Sequence, residues 1–510
     1  MIEATADHAA RTRFREEFWT NFSVSANAGS GKTTAIAERI AHMALTAEGA
    51  LLLPRMVVVT FTKKAAAQMR QRARAALLAA LAHRRAEGQA VPARSLELLD
   101  HAFFGTIHSF CLQLGQRFGA SYGLNLNPTL LEEDDDELWE EFLEQDHMQF
   151  TAMPAACVKS FLRFLALEEV FPVAREMGLA AARHFLDAAP VQVPDAPDEK
   201  VVERIQALEA KGSGRANIEA TKRAASEWMR RYQADGAFLP MLRPIGNSAR
   251  VAELVRELTA PLKTWLAAAA GALGAELALR YREYRLERGV QTYADQVEAA
   301  LAVLQHGETL NQIRAEGFRV LLDEAQDTDP RQFAVLVEIT RPPGAAIGDW
   351  PDGGGLPPRP GYFSMVGDGQ QAIYGSRADV RRFLGYLDAF ARGQGGEQLE
   401  FSVTFRAPRR IVTFCNHGFS AAFGDGVAHN FSAPPRRRLQ VKYSPLVAAP
   451  GSDAGMVSRL ALSPAAAELR VEPRLAEELR QVARFLHAGG PASVGARSWG
   501  EVCLLAPRND

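Results

Sequence analysis

The chain has 510 residues, room for about three domains at ~100–200 residues each, and its 47% hydrophobic and 23% charged content argues against a disordered or fibrous chain. A net charge of −2 excludes a uniformly basic nucleic-acid coat, so any contact with nucleic acid needs a local basic channel. Cys111, Cys157, Cys415 and Cys503 show no CxxC spacing, which points to free buried thiols of a reducing cytoplasm and away from zinc or iron–sulfur sites. The N-terminus has no apolar core of signal-peptide type, and no run approaches ~18 apolar residues, so no membrane span is expected.

The first apolar run, residues 22–26, predicts a strand that feeds ANAGSGKT at 26–33. That string differs from the phosphate-binding pattern G-x-x-x-x-G-K-[ST] only in having Ala26 at its first position. Gly29 and Gly31 allow a backbone curl whose N–H groups point at phosphate oxygens, and a helix starting near Lys32 adds its positive end. The predicted nucleotide cradle is therefore Ala26, Asn27, Ala28, Gly29, Ser30, Gly31, Lys32, Thr33 and Thr34. Lys32 supplies a cation to the β- and γ-phosphates, and Thr33 a hydroxyl to Mg2+. A ligand-free Gly-rich turn is the competing reading, which the flanking strand and helix disfavour.

The next run, MVVVTF at 56–61, leads into Thr62-Lys63-Lys64. From about 121 to 289 the chain is rich in Ala, Leu, Glu and Arg at helical spacing, as in 254–284, and predicts a helical insertion. The Pro-rich stretch 188–197 marks a loop within it. The acidic run 132–144 reads as a solvated helix start, with a partner surface as the alternative.

Residues 320–332, VLLDEAQDTDPRQ, predict a strand ending in Asp323-Glu324, followed by Gln326 and Asp327. An acidic pair at a strand end is how nucleotide hydrolases hold Mg2+ beside a phosphate. Asp323 would hold the metal, directly or through water, and Glu324 would orient or deprotonate the attacking water. A solvated acidic turn is the alternative, much weakened by the P-loop. A Pro- and Gly-crowded loop, 341–361, precedes FSMVGDGQQAIYGSRAD at 363–379. There Gly367-Asp368 follows a strand, with Gln370 and Gln371 next, and a neutral amide near the γ-phosphate can report its presence. Tyr374 is a candidate to stack on a base or, alternatively, a buried core tyrosine. The run 399–405 completes the strand set. Apolar runs separated by helical patterns predict a parallel sheet with ligands at its carboxyl edge. Arg436–Arg438 reads as a solvated basic cluster, and 501–506 as the start of a core strand, so that an end at Asp510 suggests a fragment.

In this order, SANAGSGKT, VVVTFTKKAAAQMRQRA, GTIHSFC, LLDEAQDTDPRQ, VGDGQQAIYGSRAD and SVTFRAPRRIVTFCN resemble superfamily 1 DNA helicases of the UvrD/Rep type. The string TIHSFC is similar to the AddA/RecB branch of helicase–nucleases. The resemblance spans nearly the whole chain, with little from the insertion. It implies an α/β fold: a P-loop NTPase (RecA-like) parallel-sheet domain in two parts, 1–120 and 291–395, with a large all-helical insertion at 121–290. The start of a second RecA-like domain would occupy 396–510.

The same resemblance implies ATP and Mg2+ as cofactors and single-stranded or duplex-end DNA as partner, with translocation 3′→5′ in recombinational double-strand break repair. A bacterial, nucleoid-associated cytoplasmic location goes with it, as does a second helicase–nuclease subunit. Phe61, Thr62, Thr106 and His108 would line the single-strand path, with Tyr374 stacking there. Gln371 would couple the γ-phosphate to DNA, and Arg406 would reach that phosphate from the second motor domain. A surface salt bridge for Arg406 and a core role for His108 are the bland alternatives.

Three departures stand out. No glutamine precedes Gln68, where the family reads adenine; Gly375 and Ser376 stand where an aromatic is expected; and the last two helicase motifs and any nuclease domain would lie past 510. A binding subunit without hydrolysis is disfavoured by the presence of Lys32, Asp323, Glu324, Gln371 and Arg406. A P-loop ATPase acting on protein or chromosome structure is disfavoured by segments 105–111 and 363–379.

Overall fold

The computed structural model describes residues 5–503 except 93, 133–134, 147–149, 152, 181–190, 193, 211–213, 235, 349, 354, 373–379, 424–440 and 458–470. Its strands in chain order are β1 (Phe22–Ala26), β2 (Met56–Thr60), β3 (Phe103–Thr106), β4 (Thr129–Leu130), β5 (Val290–Gln291), β6 (Arg319–Leu322), β7 (Phe363–Gly367), β8 (Glu397–Phe401), β9 (Val403–Thr404) and β10 (Val447–Ala448). Six of them form one sheet, ordered β3-β2-β6-β7-β1-β8, with every neighbouring pair parallel.

The inner strands are short and almost fully buried because helices cover the sheet, although Ser23, Ser25, Arg319 and Ser364 interrupt their apolar sequence. Val24, Val58, Leu321 and Val366 share a core with Ile36 and Ile40 of helix Lys32–Ala44 and with Met69 and Leu77 of helix Lys63–Ala86. The order β6-β7-β1 sets three carboxyl ends side by side, which is where the polar motifs fall. The loop after residue 340 is pinned by Glu338, which accepts from Arg314 and from Arg341, each at 2.6 Å.

The helical unit is Ile107–Leu310, wider than the expected 121–290. Helices Ile107–Phe118 and Tyr293–Leu304 belong to it, so its first boundary cuts the GTIHSFC string between Thr106 and Ile107. It is not all-helical, since β4 and β5 pair as a two-residue parallel ladder. Its spine is the 39-residue helix Ala249–Glu287, whose Leu254, Leu258 and Leu262 pack with Phe161 and Trp228. By length and composition this helix could cross a membrane, at a mean hydropathy of 1.2, which the run-length criterion misses; half of that window is buried within the protein. The acidic run becomes helix Asp136–Gln145, capped by Asp135, whose carboxylate accepts from the Leu138 N–H.

β8 lies beside β1 in the first sheet, so the boundary expected after residue 395 falls one strand early. The run predicted at 399–405 is broken at Ser402. Beyond it, β9 and β10 pair in parallel with helix Arg409–Phe423 between them, a βαβ arrangement. Glu501 closes a short 3-10 turn; Val502 and Cys503 are not strand, and the rest of the predicted strand lies outside the described residues.

Candidate active site

β1 ends at Ala26, and the chain curls so that the Ser30 N–H donates to the Asn27 carbonyl at 3.1 Å. Gly29 (φ 73°) and Gly31 (φ 78°) take the left-handed backbone that glycine allows. Gly31 caps the helix that begins at Lys32, leaving the first-turn N–H groups as an anion cradle. Lys32 donates from Nζ to Glu324 Oε2 at 2.9 Å, so the P-loop cation and the acidic pair meet.

Asp323 follows the last residue of β6 and is 7% exposed. Burial raises its carboxyl to about 6; the Glu324 charge adds to the rise, while Lys32 and the Glu324 N–H oppose it. A buried carboxylate in that condition is relieved by a hard divalent cation. Among the described residues no group of three or more His, Cys, Asp or Glu forms a ready-made metal cage. Mg2+ beside nucleotide phosphates needs only one or two protein carboxylates, so Asp323 with the Thr33 hydroxyl fits that ion. Glu324 itself sits at φ 51°, unusual for a residue with a side chain.

Gln326 extends the cluster. Its Nε2 donates to Glu324 Oε2 at 2.9 Å, and its Oε1 accepts from the Asp368 N–H at 2.9 Å. Asp368 in turn accepts from Gln371 Nε2 at 2.6 Å and from the Gln370 N–H at 3.0 Å. Gln371 is thereby tied to Glu324 through two intermediates. Gln370 makes a second connection: Nε2 donates to Asn27 Oδ1 at 3.2 Å, and Oε1 accepts from the Ser444 N–H at 3.1 Å. Asn27 also donates to the Pro445 carbonyl at 3.2 Å. Pattern alone assigned no role to Gln326 or Asp368. The available signal was amides beside acidic pairs, since an amide can donate and accept at once.

The Thr-Phe-Arg string lies against the P-loop. The Phe405 N–H donates to the Gly29 carbonyl at 2.8 Å. A Cβ on Gly29 would sit 2.5 Å from Arg406 Cβ and 2.6 Å from Thr404 Oγ1, so this glycine is required by space as well as by φ. Arg406 is exposed and, among the described residues, its guanidinium forms no ion pair. Phe405, also unassigned from sequence, is 57% exposed, and Arg11 lies 5.2 Å from its ring centroid. Two hydrogen bonds of 2.8 Å to Asp7 hold Arg11 there.

Of the nucleic-acid candidates, Phe61 is 51% exposed just past β2, Thr62 caps helix Lys63–Ala86 by accepting from the Ala65 N–H, and Thr106 is buried at the end of β3. Adjacent strands thus bring these three to one edge. His108, in the helical unit, packs on Tyr293 with ring centroids 5.0 Å apart. Burial pulls its pKa down to about 4, so at neutral pH it can offer a phosphate a hydrogen bond but no charge. Tyr374, Gly375, Ser376 and Arg436–Arg438 lie outside the described residues.

Comparison with known proteins agrees with this geometry. The model of the UvrD/REP helicase N-terminal domain matches residues 8–390. The chain is 25% identical over 519 residues to an ATP-dependent helicase/nuclease subunit of Geobacillus thermodenitrificans (strain NG80-2), covering 82% of this chain and 40% of that protein. Its likeness to the protein of the same name from Desulforudis audaxviator (strain MP104C) is 28% over 498 residues, 79% of this chain and 38% of that one. A stretch of 126 residues, 25% of this chain and 8% of the relative, is 44% identical to the one from Moorella thermoacetica (strain ATCC 39073 / JCM 9320). The chain thus spans about two fifths of the length of the first two.

Proposed function

The chain belongs to the UvrD/REP helicase N-terminal domain family, and from that premise we propose that it is the motor part of an ATP-dependent DNA helicase that moves along single strands. The observation that carries this reading is the 2.9 Å contact between Lys32 and Glu324, with buried Asp323 beside it and the amide relay leading away.

Lys32 and the first-turn N–H groups bind the phosphates of ATP. With Lys32 engaged by phosphate, Glu324 is released to orient the attacking water and take its proton. Thr33 and Asp323 would hold Mg2+, which would supply charge neutralisation to the phosphates. Arg406, whose backbone already abuts Gly29, reaches the γ-phosphate by rotating an unpaired side chain. Gln326, Asp368 and Gln371 carry the state of the phosphate away from Glu324, Gln370 carries it to Ser444, and Asn27 carries it to Pro445. Phe61, Thr62 and Thr106 contact the single strand at the sheet edge. Movement 3′→5′, a role in double-strand break repair, a cytoplasmic setting and a partner helicase–nuclease subunit are part of the same proposal; the relatives' name, ATP-dependent helicase/nuclease subunit, supports its helicase part.

ATP hydrolysis by the 510-residue chain, measured with and without single-stranded DNA, tests this. Stimulation of several-fold is expected, and a rate indifferent to DNA overturns the translocase reading.

The exposed Phe405 ring beside the Gly29 turn takes the base of ATP by stacking. Phe405→Ala is expected to raise the KM for ATP by ~10-fold, within the ~1–3 kcal/mol of one stacked base. Turnover at saturation should change little. An unchanged KM removes the ring from the site.

A further inference from the structure

The amino edge of the same sheet gathers cations that the ATP site does not use. Across the strand order β2-β6-β7-β1, the residues entering the strands include Arg55, Arg319, Tyr362 and Trp19. They interleave: the Arg319 guanidinium lies 4.5 Å from the Trp19 ring and 4.3 Å from the Tyr362 ring, and Arg359 lies 3.8 Å over the same Tyr362. Gly361 closes the stack, since a Cβ there would come within 2.8 Å of Arg319 Nη1 and of Trp19 Cα. A Cβ on Gly317 would lie 3.6 Å from Arg55 Cδ and 3.8 Å from Tyr362 Cε1, which places Arg55 at the same spot.

Arg319 donates to the Gly361 carbonyl at 2.7 Å, and Arg359 to the Arg314 carbonyl at 2.8 Å. The Nε of each is buried without a partner, and among the described residues none of the three arginines pairs with a carboxylate. Like charges held together without a counter-charge repel, and a buried arginine is ordinarily paired. Of the three only Arg319 is buried; Arg55 is exposed and Arg359 half-buried, so these two can meet an anion from solvent. Trp19, 47% exposed, offers an aromatic face beside those charges. Indole next to guanidinium suits a base and its phosphate better than an acidic peptide, which needs no stacking platform.

We propose that this edge is a second nucleic-acid contact, binding a single strand with its phosphates at Arg55 and Arg359 and a base on Trp19, which buried Arg319 holds in place from behind. It lies about 15 Å, one strand length, from the carboxyl-edge site. The proposal rests on the reading that the chain handles DNA.

The test compares the full chain with Arg55→Glu and Trp19→Ala, using a fluorescent single strand titrated at several salt concentrations, with DNA-stimulated hydrolysis as the motor readout. Arg55 is exposed, so its variant keeps the fold. Arg55→Glu should weaken binding by ~10-fold and lower the salt slope by about one. Trp19→Ala should remove a component of the indole quenching produced by DNA. Hydrolysis at saturating DNA should stay at the wild-type rate in both variants. Wild-type affinity, slope and quenching in both variants overturn the second contact while leaving the motor reading intact. Loss of polyglutamate binding with DNA binding unchanged overturns it in favour of a protein partner. If the wild-type chain itself shows no salt-dependent DNA binding, the motor reading falls and takes this site with it.

Discussion

Lys32→Ala is expected to lower ATP turnover by ~10²–10³ and to weaken nucleotide binding as well, because a fixed cation aimed at developing phosphate charge is lost. The position argues for an effect of that size. Lys32 is the first residue of its helix, behind two glycines in the left-handed region, and only 11% of its side chain is exposed. A point charge in so dry a place is worth far more than one in water. The fold should survive the change. Glu324 loses a partner but keeps the Gln326 amide at 2.9 Å, and 36% of its side chain remains in solvent. A melting curve close to wild type, beside lost turnover and weaker binding of a fluorescent ATP analogue, is the expected combination. Wild-type turnover in this variant would sink the P-loop assignment.

The sheet was legible because its inner strands are short, mainly apolar segments of four or five residues, each ending in a polar motif, and such segments suit a covered parallel sheet. The P-loop and the Asp323-Glu324 pair were legible for the same reason, since each is local to one strand end. Pairing partners were not. Glu397, Gln398, Leu399, Glu400 and Phe401 alternate in burial as an edge strand does, and nothing local says that they lie beside β1. Helix Ile107–Phe118 starts inside a motif string, so no change of texture marks the unit boundary there. Gln326 and Asp368 stand 42 positions apart in sequence and meet only because β6 and β7 are neighbours. Arg55 and Arg319 stand far apart in sequence, and the pairing of β2 with β6 is what brings them to one edge.

Glu324→Gln is expected to behave differently from Lys32→Ala, and the difference identifies the base. Glutamine fills the same volume and can still accept from Gln326, but it cannot take a proton from water. Turnover should fall by ~10²–10⁴, the range for a positioned general base. Binding should move the other way. In the wild-type chain Glu324 occupies Lys32 at 2.9 Å, so phosphate must displace a carboxylate to reach the lysine. The neutral side chain holds Lys32 less firmly, and ATP should bind as tightly as before or tighter. Measuring turnover and ATP affinity in the two variants side by side therefore separates two roles that one ion pair leaves mixed. If Glu324→Gln weakens ATP binding as Lys32→Ala does, Glu324 serves to position the lysine, and the proton must be taken by another group.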